Sequence, residues 1–197
     1  MSTDFTDRLC SILARQDPVL VVLGGSKGAG KSTFYRHVLA RTDLPFINAD
    51  EIAKTLVETE ESAKAYKAMH MAEALRADLL ARGISFITET VLSDPSGAKL
   101  KAFKTAQERG YYFVFISIVI DGPELSQARV MQRVLAGGHD VPDQKLIERY
   151  PRTRENAAKA LSQSDLGLVF DNSSESNPYQ LMEIWEAGAL TWMGSQR

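Results

Sequence analysis

Cysteine is nearly absent from this chain. Cys10 is the single one among 197 residues, which rules out an intramolecular disulfide and a thiolate cluster for zinc or iron. A lone thiol suits a reducing compartment, and the chain reads as cytoplasmic. Long hydrophobic runs are missing too. The longest, Phe113 to Ile120, falls far short of the roughly 20 apolar residues that span a bilayer, and Asp4 and Asp7 interrupt the N-terminus where a signal peptide would be apolar. No membrane partner is expected. Charge of one sign is not in excess either. A net charge of -2 exerts no general pull on polyanions, so nucleic acid is not expected as a partner, and phosphates must be held by locally placed cations and amides. The length predicts one domain over residues 1–197.

What is present is an alternation of apolar runs and amphipathic segments. Phe5, Leu9, Ile12 and Leu13 recur at helical spacing over residues 3–15, and Pro18 ends that segment. Five strands are predicted: 18–25, 45–50, 84–90, 111–120 and 166–173. The fourth is the richest in apolar and β-branched residues and is placed near the sheet centre. Helices are expected over 31–40, over 51–82 with Tyr66, Met69, Leu75 and Leu79 as the buried stripe, from Ser93-Asp94-Pro95 to Arg109, over 123–136, and as two short stretches after Gly137-Gly138. Residues 179–192 read as a hairpin turning at Gly188, with a last helix as the alternative. This pattern predicts an α/β fold, a mostly parallel five-stranded sheet with helices on both faces, and G-x-x-x-x-G-K-S at residues 25–32, between the first strand and the next helix, makes it a P-loop NTPase fold. Ligands on such sheets sit beyond the carboxyl ends of the strands. That directs attention to the segments after the first, second, third and fifth strands.

The segment after the first strand, residues 24–33, contains G-x-x-x-x-G-K-S as Gly25, Gly30, Lys31 and Ser32. Gly25, Ser26, Lys27, Gly28, Ala29, Gly30, Lys31, Ser32 and Thr33 form a loop whose amides curl inward at a helix N-terminus, where they cradle phosphates. Lys31 reaches the outer phosphates and Ser32 is placed to ligate Mg²⁺. ATP is favoured over GTP, because the base-reading N-K-x-D element of GTPases is absent.

Asp50 and Glu89 end the second and third strands and so project at the same sheet edge as the loop. Asp50 is assigned as the base that takes the acceptor hydroxyl's proton; the alternative is that it merely caps the next helix. Glu89 orients substrate or a magnesium-bound water, and Thr90 is a hydroxyl donor beside it. Arg129, Arg133, Lys145, Arg149, Arg152 and Arg154 crowd a segment broken by Gly137-Gly138, which reads as a lid over about 134–152. Arg129 and Arg133 share a helix face. The reading is an ATP- and Mg²⁺-dependent kinase of a small hydroxyl-bearing molecule. A nucleotide-switched binding protein would keep the loop but would need neither the base nor so many lid arginines.

The ordered set GGSKGAGKST, INAD, FITET, RVMQRVLAGGHDVPDQKLIERYPR and FDNS, over about residues 19–173, resembles the zeta toxin family of P-loop kinases. The resemblance implies a nucleoside-monophosphate-kinase-like fold and phosphorylation of UDP-N-acetylglucosamine, a UDP-sugar, at a hydroxyl, with an antitoxin protein as partner. It places the base at Asp50, the phosphate lysine at Lys31, the substrate-contacting acid at Glu89 and the first lid arginine at Arg133. The family's second lid arginine falls near His139, so Arg149 or Arg152 is expected to supply that charge. The family also has an acid where this chain has Asn48.

Overall fold

The computed structural model describes residues 11–58, 60–135 and 143–194, without the side chains of 133, 134 and 143–146. The first strand, β1 (Val19–Gly24), is buried along its whole length, as its unbroken apolar run requires. On one side of it lies β3 (Phe86–Thr90), followed by β2 (Phe46–Ile47); on the other lie β4 (Tyr112–Val119), β5 (Leu166–Asp171), β6 (Gln180–Glu186) and β7 (Ala189–Met193). The first five strands run parallel, while β6 and β7 are antiparallel. The sheet therefore has seven strands rather than five. The extra two come from the predicted hairpin, which turns through Ala187 and Gly188, both at positive φ. With β4 fourth in the order of seven, the most β-branched strand is central, where burial on both faces favours it.

Alternation along the strands divides the core into two layers. Val19, Val21 and Leu23 of β1 join Ile87, Ile116 and Leu168 on one face. Leu20 and Val22 join Phe86, Phe113 and Phe115 on the other, as a side-chain period of two dictates.

The helices are α1 (Lys31–Phe34), α2 (Ala49–Thr55), α3 (Glu61–Ala81), α4 (Ala98–Glu108), α5 (Gly122–Leu135) and α6 (Asp143–Gln163). Several depart from expectation. After α1 the chain widens into a π-helical turn over Tyr35–Leu39 and then tightens at Ala40–Thr42. The predicted 51–82 helix is two helices, because Leu56 is extended (φ -86°, ψ 136°). Tyr66, Met69 and Leu75 are exposed, Tyr66 by 64%, while Ala68 and Ala72 are buried. Alanines let α3 lie close against the sheet and its neighbour, so the bulky residues turn outward. Leu79 alone of the expected stripe packs against the core.

Helix α4 starts at Ala98 rather than at Ser93, since Asn156 Nδ2 donates to the Leu92 and Asp94 carbonyls, at 2.8 and 3.1 Å, and holds that stretch as a loop. The cation-rich stretch after Gly138 includes one 21-residue helix, α6, with Pro151 inside it. Gly137-Gly138 and His139 lie outside the described residues, as do Phe5 and Leu9 of the expected first helix.

Candidate active site

Strand β1 ends at Gly24, and the chain turns at once into the phosphate loop. Gly25 has φ 146°, and a Cβ there would lie 2.2 Å from the Ile118 carbonyl oxygen, so only glycine fits. Gly30 has φ 95°, and its Cβ would lie 2.5 Å from Asn172 Nδ2. The loop is pinned from outside. Asn172 Nδ2 donates to the Ala29 carbonyl at 2.9 Å, the Tyr179 hydroxyl donates to the Gly30 carbonyl at 2.9 Å, and Ser126 Oγ donates to the Lys27 carbonyl at 2.6 Å. Side chains that occupy the carbonyls leave the amides of the peptide units free to face inward. Burial raises the Tyr179 pKa, which keeps this donor protonated.

Glu89 is the hub of the site. Its carboxylate accepts from Ser32 Oγ at 2.8 Å and from Asn48 Nδ2 at 2.9 Å, and lies 3.7 Å from Lys31 Nζ. Lys31 is only 5% exposed and donates to the Ser26 carbonyl at 2.9 Å. The parallel register that sets Glu89 beside Leu23 produces this arrangement, because it places the end of β3 next to the start of the loop. A hydroxyl and a carboxylate in contact make a set of hard oxygen donors that fits Mg²⁺. No three His, Cys, Asp or Glu side chains form a cage among the described residues.

Asn48, not Asp50, caps α2: its Oδ1 accepts from the Asp50 and Glu51 amides at 2.8 and 3.4 Å. One side chain thus closes the helix end and fixes Glu89. Asn48→Ala should lower the unfolding free energy by about 1–3 kcal/mol, through loss of the cap and of a buried donor. Denaturant titration measures this, and Asn48→Asp should restore most of the cap contribution. Asp50 stands in the first turn of α2 and is exposed; its carboxylate makes no hydrogen bond or ion pair among the described residues.

Of the cationic residues, Arg149 lines a groove with Ser26, Lys27, Val91, Ser126, Tyr150 and Thr153, and so comes to the phosphate loop. Arg152 instead donates to the Ser93 carbonyl at 3.3 Å. Arg129 packs over Gly28, where a Cβ would lie 3.4 Å from its own. Arg133 is in the last turn of α5, and His139 is outside the described residues. Thr90 accepts from Lys99 Nζ at 2.5 Å.

Sequence reasoning pointed to the segment that holds Asn172, at the end of the fifth predicted strand, but gave it no role, and it passed over Tyr179, Arg76 and Lys99. Lys99 is one of three lysines in α4, with Lys101 and Lys104, and nothing in spacing sets it apart.

Known proteins share this fold and parts of this sequence. An uncharacterized protein of Haemophilus influenzae is 29% identical over 133 residues, covering 64% of this chain and 88% of that protein. Among solved structures, the complex of AvrRxo1-ORF1 and -ORF2 with ATP superposes with a TM-score of 0.71 at 18% identity, over 95% of this chain and 67% of the other. A structure from the PezAT chromosomal toxin-antitoxin system of Streptococcus pneumoniae gives 0.64 at 17% identity, over 93% and 82%. These likenesses show the fold. The model of the family described as Zeta toxin matches residues 5–182, and this chain belongs to the zeta toxin family.

Proposed function

We propose that this protein is an ATP-dependent phosphotransferase that moves the γ-phosphate to a hydroxyl of a small molecule, with UDP-N-acetylglucosamine or a related sugar nucleotide as the first acceptor to try. The observation that carries the reading is the junction of Glu89 with Lys31, Ser32 and Asn48 at the carboxyl ends of β1, β2 and β3. An acid against the loop's serine and lysine serves any magnesium-nucleotide site; Asp50, exposed two residues after the Asn48 that holds Glu89, is the further carboxylate that an acceptor hydroxyl requires.

The roles follow from the chemistry of the groups. Lys31 and the loop amides neutralise the outer phosphates. Ser32, whose hydroxyl Glu89 holds, would be the residue that ligates Mg²⁺, with Glu89 beside it to orient the ion's water. Bound Mg²⁺ supplies charge neutralisation and a fixed phosphate geometry. Asp50 accepts the proton of the acceptor hydroxyl as the bond to phosphorus forms. Its exposure at the helix start leaves it open to a second substrate. Arg149, which borders the loop, and Arg133 stabilise charge on the transferring group, while Arg129 supports the loop at Gly28 and Arg152, His139 and Thr90 belong to the acceptor side. One kinase domain spans residues 1–197.

An inhibitory partner protein is part of the same reading, since the PezAT structure comes from a toxin-antitoxin system and AvrRxo1-ORF1 is complexed with -ORF2. No helix of the described residues is long and apolar enough to cross a membrane.

Incubation with ATP, Mg²⁺ and a panel of metabolites led by UDP-N-acetylglucosamine, read by mass spectrometry, tests this. A gain of one phosphate on a panel member is expected. ATP binding with no phosphorylated product on any hydroxyl compound would turn the reading to a nucleotide-switched binding protein.

A further inference from the structure

The segment 172–179, which joins β5 to the antiparallel β6, reaches back to the phosphate loop at both of its ends. Asn172 Nδ2 donates to the Ala29 carbonyl and the Tyr179 hydroxyl to the Gly30 carbonyl, each at 2.9 Å. No peptide bond among the described residues is cis, and in a trans unit the carbonyl oxygen and the next amide hydrogen point to opposite sides. A carbonyl drawn outward therefore turns the following N–H inward. The two contacts fix the directions of the Gly30 and Lys31 amides, at the corner where the loop enters α1. They are more than the helix needs to start, because the Phe34 amide already donates to the Gly30 carbonyl at 2.9 Å as the first turn closes.

Both donors are themselves held in place. The Asn172 amide donates to the Val119 carbonyl and the Asp121 amide to Ser173 Oγ, each at 2.9 Å, which ties this end of the segment to the end of β4. Asn172 is only 8% exposed. Tyr179 has φ 56°, a region that bulky residues rarely adopt, so other contacts must offset its cost. Its ring stands edge-on to the fully buried Phe34, with centroids 5.3 Å apart. That packing accounts for the ring and not for the hydroxyl. The two donors converge on one residue, since a Cβ on Gly30 would lie 2.5 Å from Asn172 Nδ2 and 2.8 Å from the Tyr179 hydroxyl. Donors fixed in this way aim the amides before any phosphate arrives, and binding then needs no reorganisation of the loop.

We propose that Asn172 and Tyr179 are positioning residues of the nucleotide site: from the β5–β6 segment they preset the Gly30 and Lys31 amides that hold the polyphosphate. They act through the loop backbone rather than by touching the ligand. This rests on the nucleotide-binding half of the phosphotransferase reading and on no particular acceptor, so it can be tested without turnover.

Binding calorimetry on the full chain tests it with two probes, magnesium tripolyphosphate and a non-hydrolysable ATP analogue with Mg²⁺. Tyr179→Phe, which deletes only the hydroxyl, should weaken both ligands by about fivefold, and Asn172→Ala should weaken both by about tenfold, each the loss of roughly one hydrogen bond. Tyr179→Phe should melt at the parent temperature, because the ring stays on Phe34. Should Asn172→Ala not fold, Tyr179→Phe decides alone. Parent-level tripolyphosphate affinity in Tyr179→Phe overturns the proposal. So does a loss confined to the ATP analogue, which would make these side chains contacts to the base. A loss that comes with a lowered melting temperature of Tyr179→Phe overturns it as well, since the hydroxyl would then be structural. A parent that binds neither probe removes the nucleotide reading and the proposal together, whereas both affinity losses without transfer to any acceptor would remove the phosphotransferase reading alone.

Discussion

Lys31→Ala should cost about 10³-fold in transfer rate and weaken ATP binding as well. Lys31 Nζ is buried, fixed by the Ser26 carbonyl and 3.7 Å from Glu89, so its charge acts where water screens it poorly. Alanine removes the cation and also leaves the Glu89 carboxylate facing the phosphates without it. Two negative groups then oppose one another in the ground state and still more in the transition state. Lys31→Met separates charge from packing: it keeps the buried stem, should melt near the parent temperature, and should be nearly as inactive as alanine. Single-turnover rates and calorimetric ATP binding measure both effects. Turnover near the parent level in either variant would end the kinase reading.

Asp50→Asn should lower the transfer rate by roughly 10² to 10⁴, with ATP affinity and melting temperature little changed. The structure sharpens this test, because the helix cap that Asp50 was a candidate to provide is supplied by Asn48. An exposed carboxylate with no partner among the described residues has little structural work to lose. Asparagine keeps its size and removes its charge and basicity. A fall in ATP affinity as large as the fall in rate would place Asp50 in the magnesium shell. A near-normal rate would move the base to Glu89. Glu89→Gln in the same assay should in any case raise the Mg²⁺ concentration needed for half-maximal rate, since an amide nitrogen cannot accept from a metal-bound water.

Where an apolar run is closed by glycines, the sequence reading holds. An unbroken apolar run followed by glycines is a buried strand and a loop, because no other backbone satisfies both a two-sided core and a φ of 146° at Gly25. The hairpin at Gly188 follows from the same turn chemistry. Where the reading failed, helix packing decided. A 3.6-residue stripe of large residues normally marks the buried face, but α3 buries Ala68 and Ala72 and leaves Tyr66, Met69 and Leu75 outside. The choice depends on how closely the neighbouring surface approaches, which spacing does not record.

By itself, then, the amino-acid sequence determined the parallel core, the phosphate loop and Glu89 at the end of β3, since each rests on residues adjacent in the chain, while Asp50, expected to end the second strand, stands in the first turn of α2 because β2 stops at Ile47. Only the tertiary structure decided that Asn48 is the cap, that Glu89 joins Ser32 and Lys31 across 57 and 58 positions of sequence, and that Lys99 rather than Lys101 or Lys104 meets Thr90. Those contacts are set by strand order and by the angles at which helices cross the sheet, and a cation's partner in space leaves no mark on its neighbours in sequence.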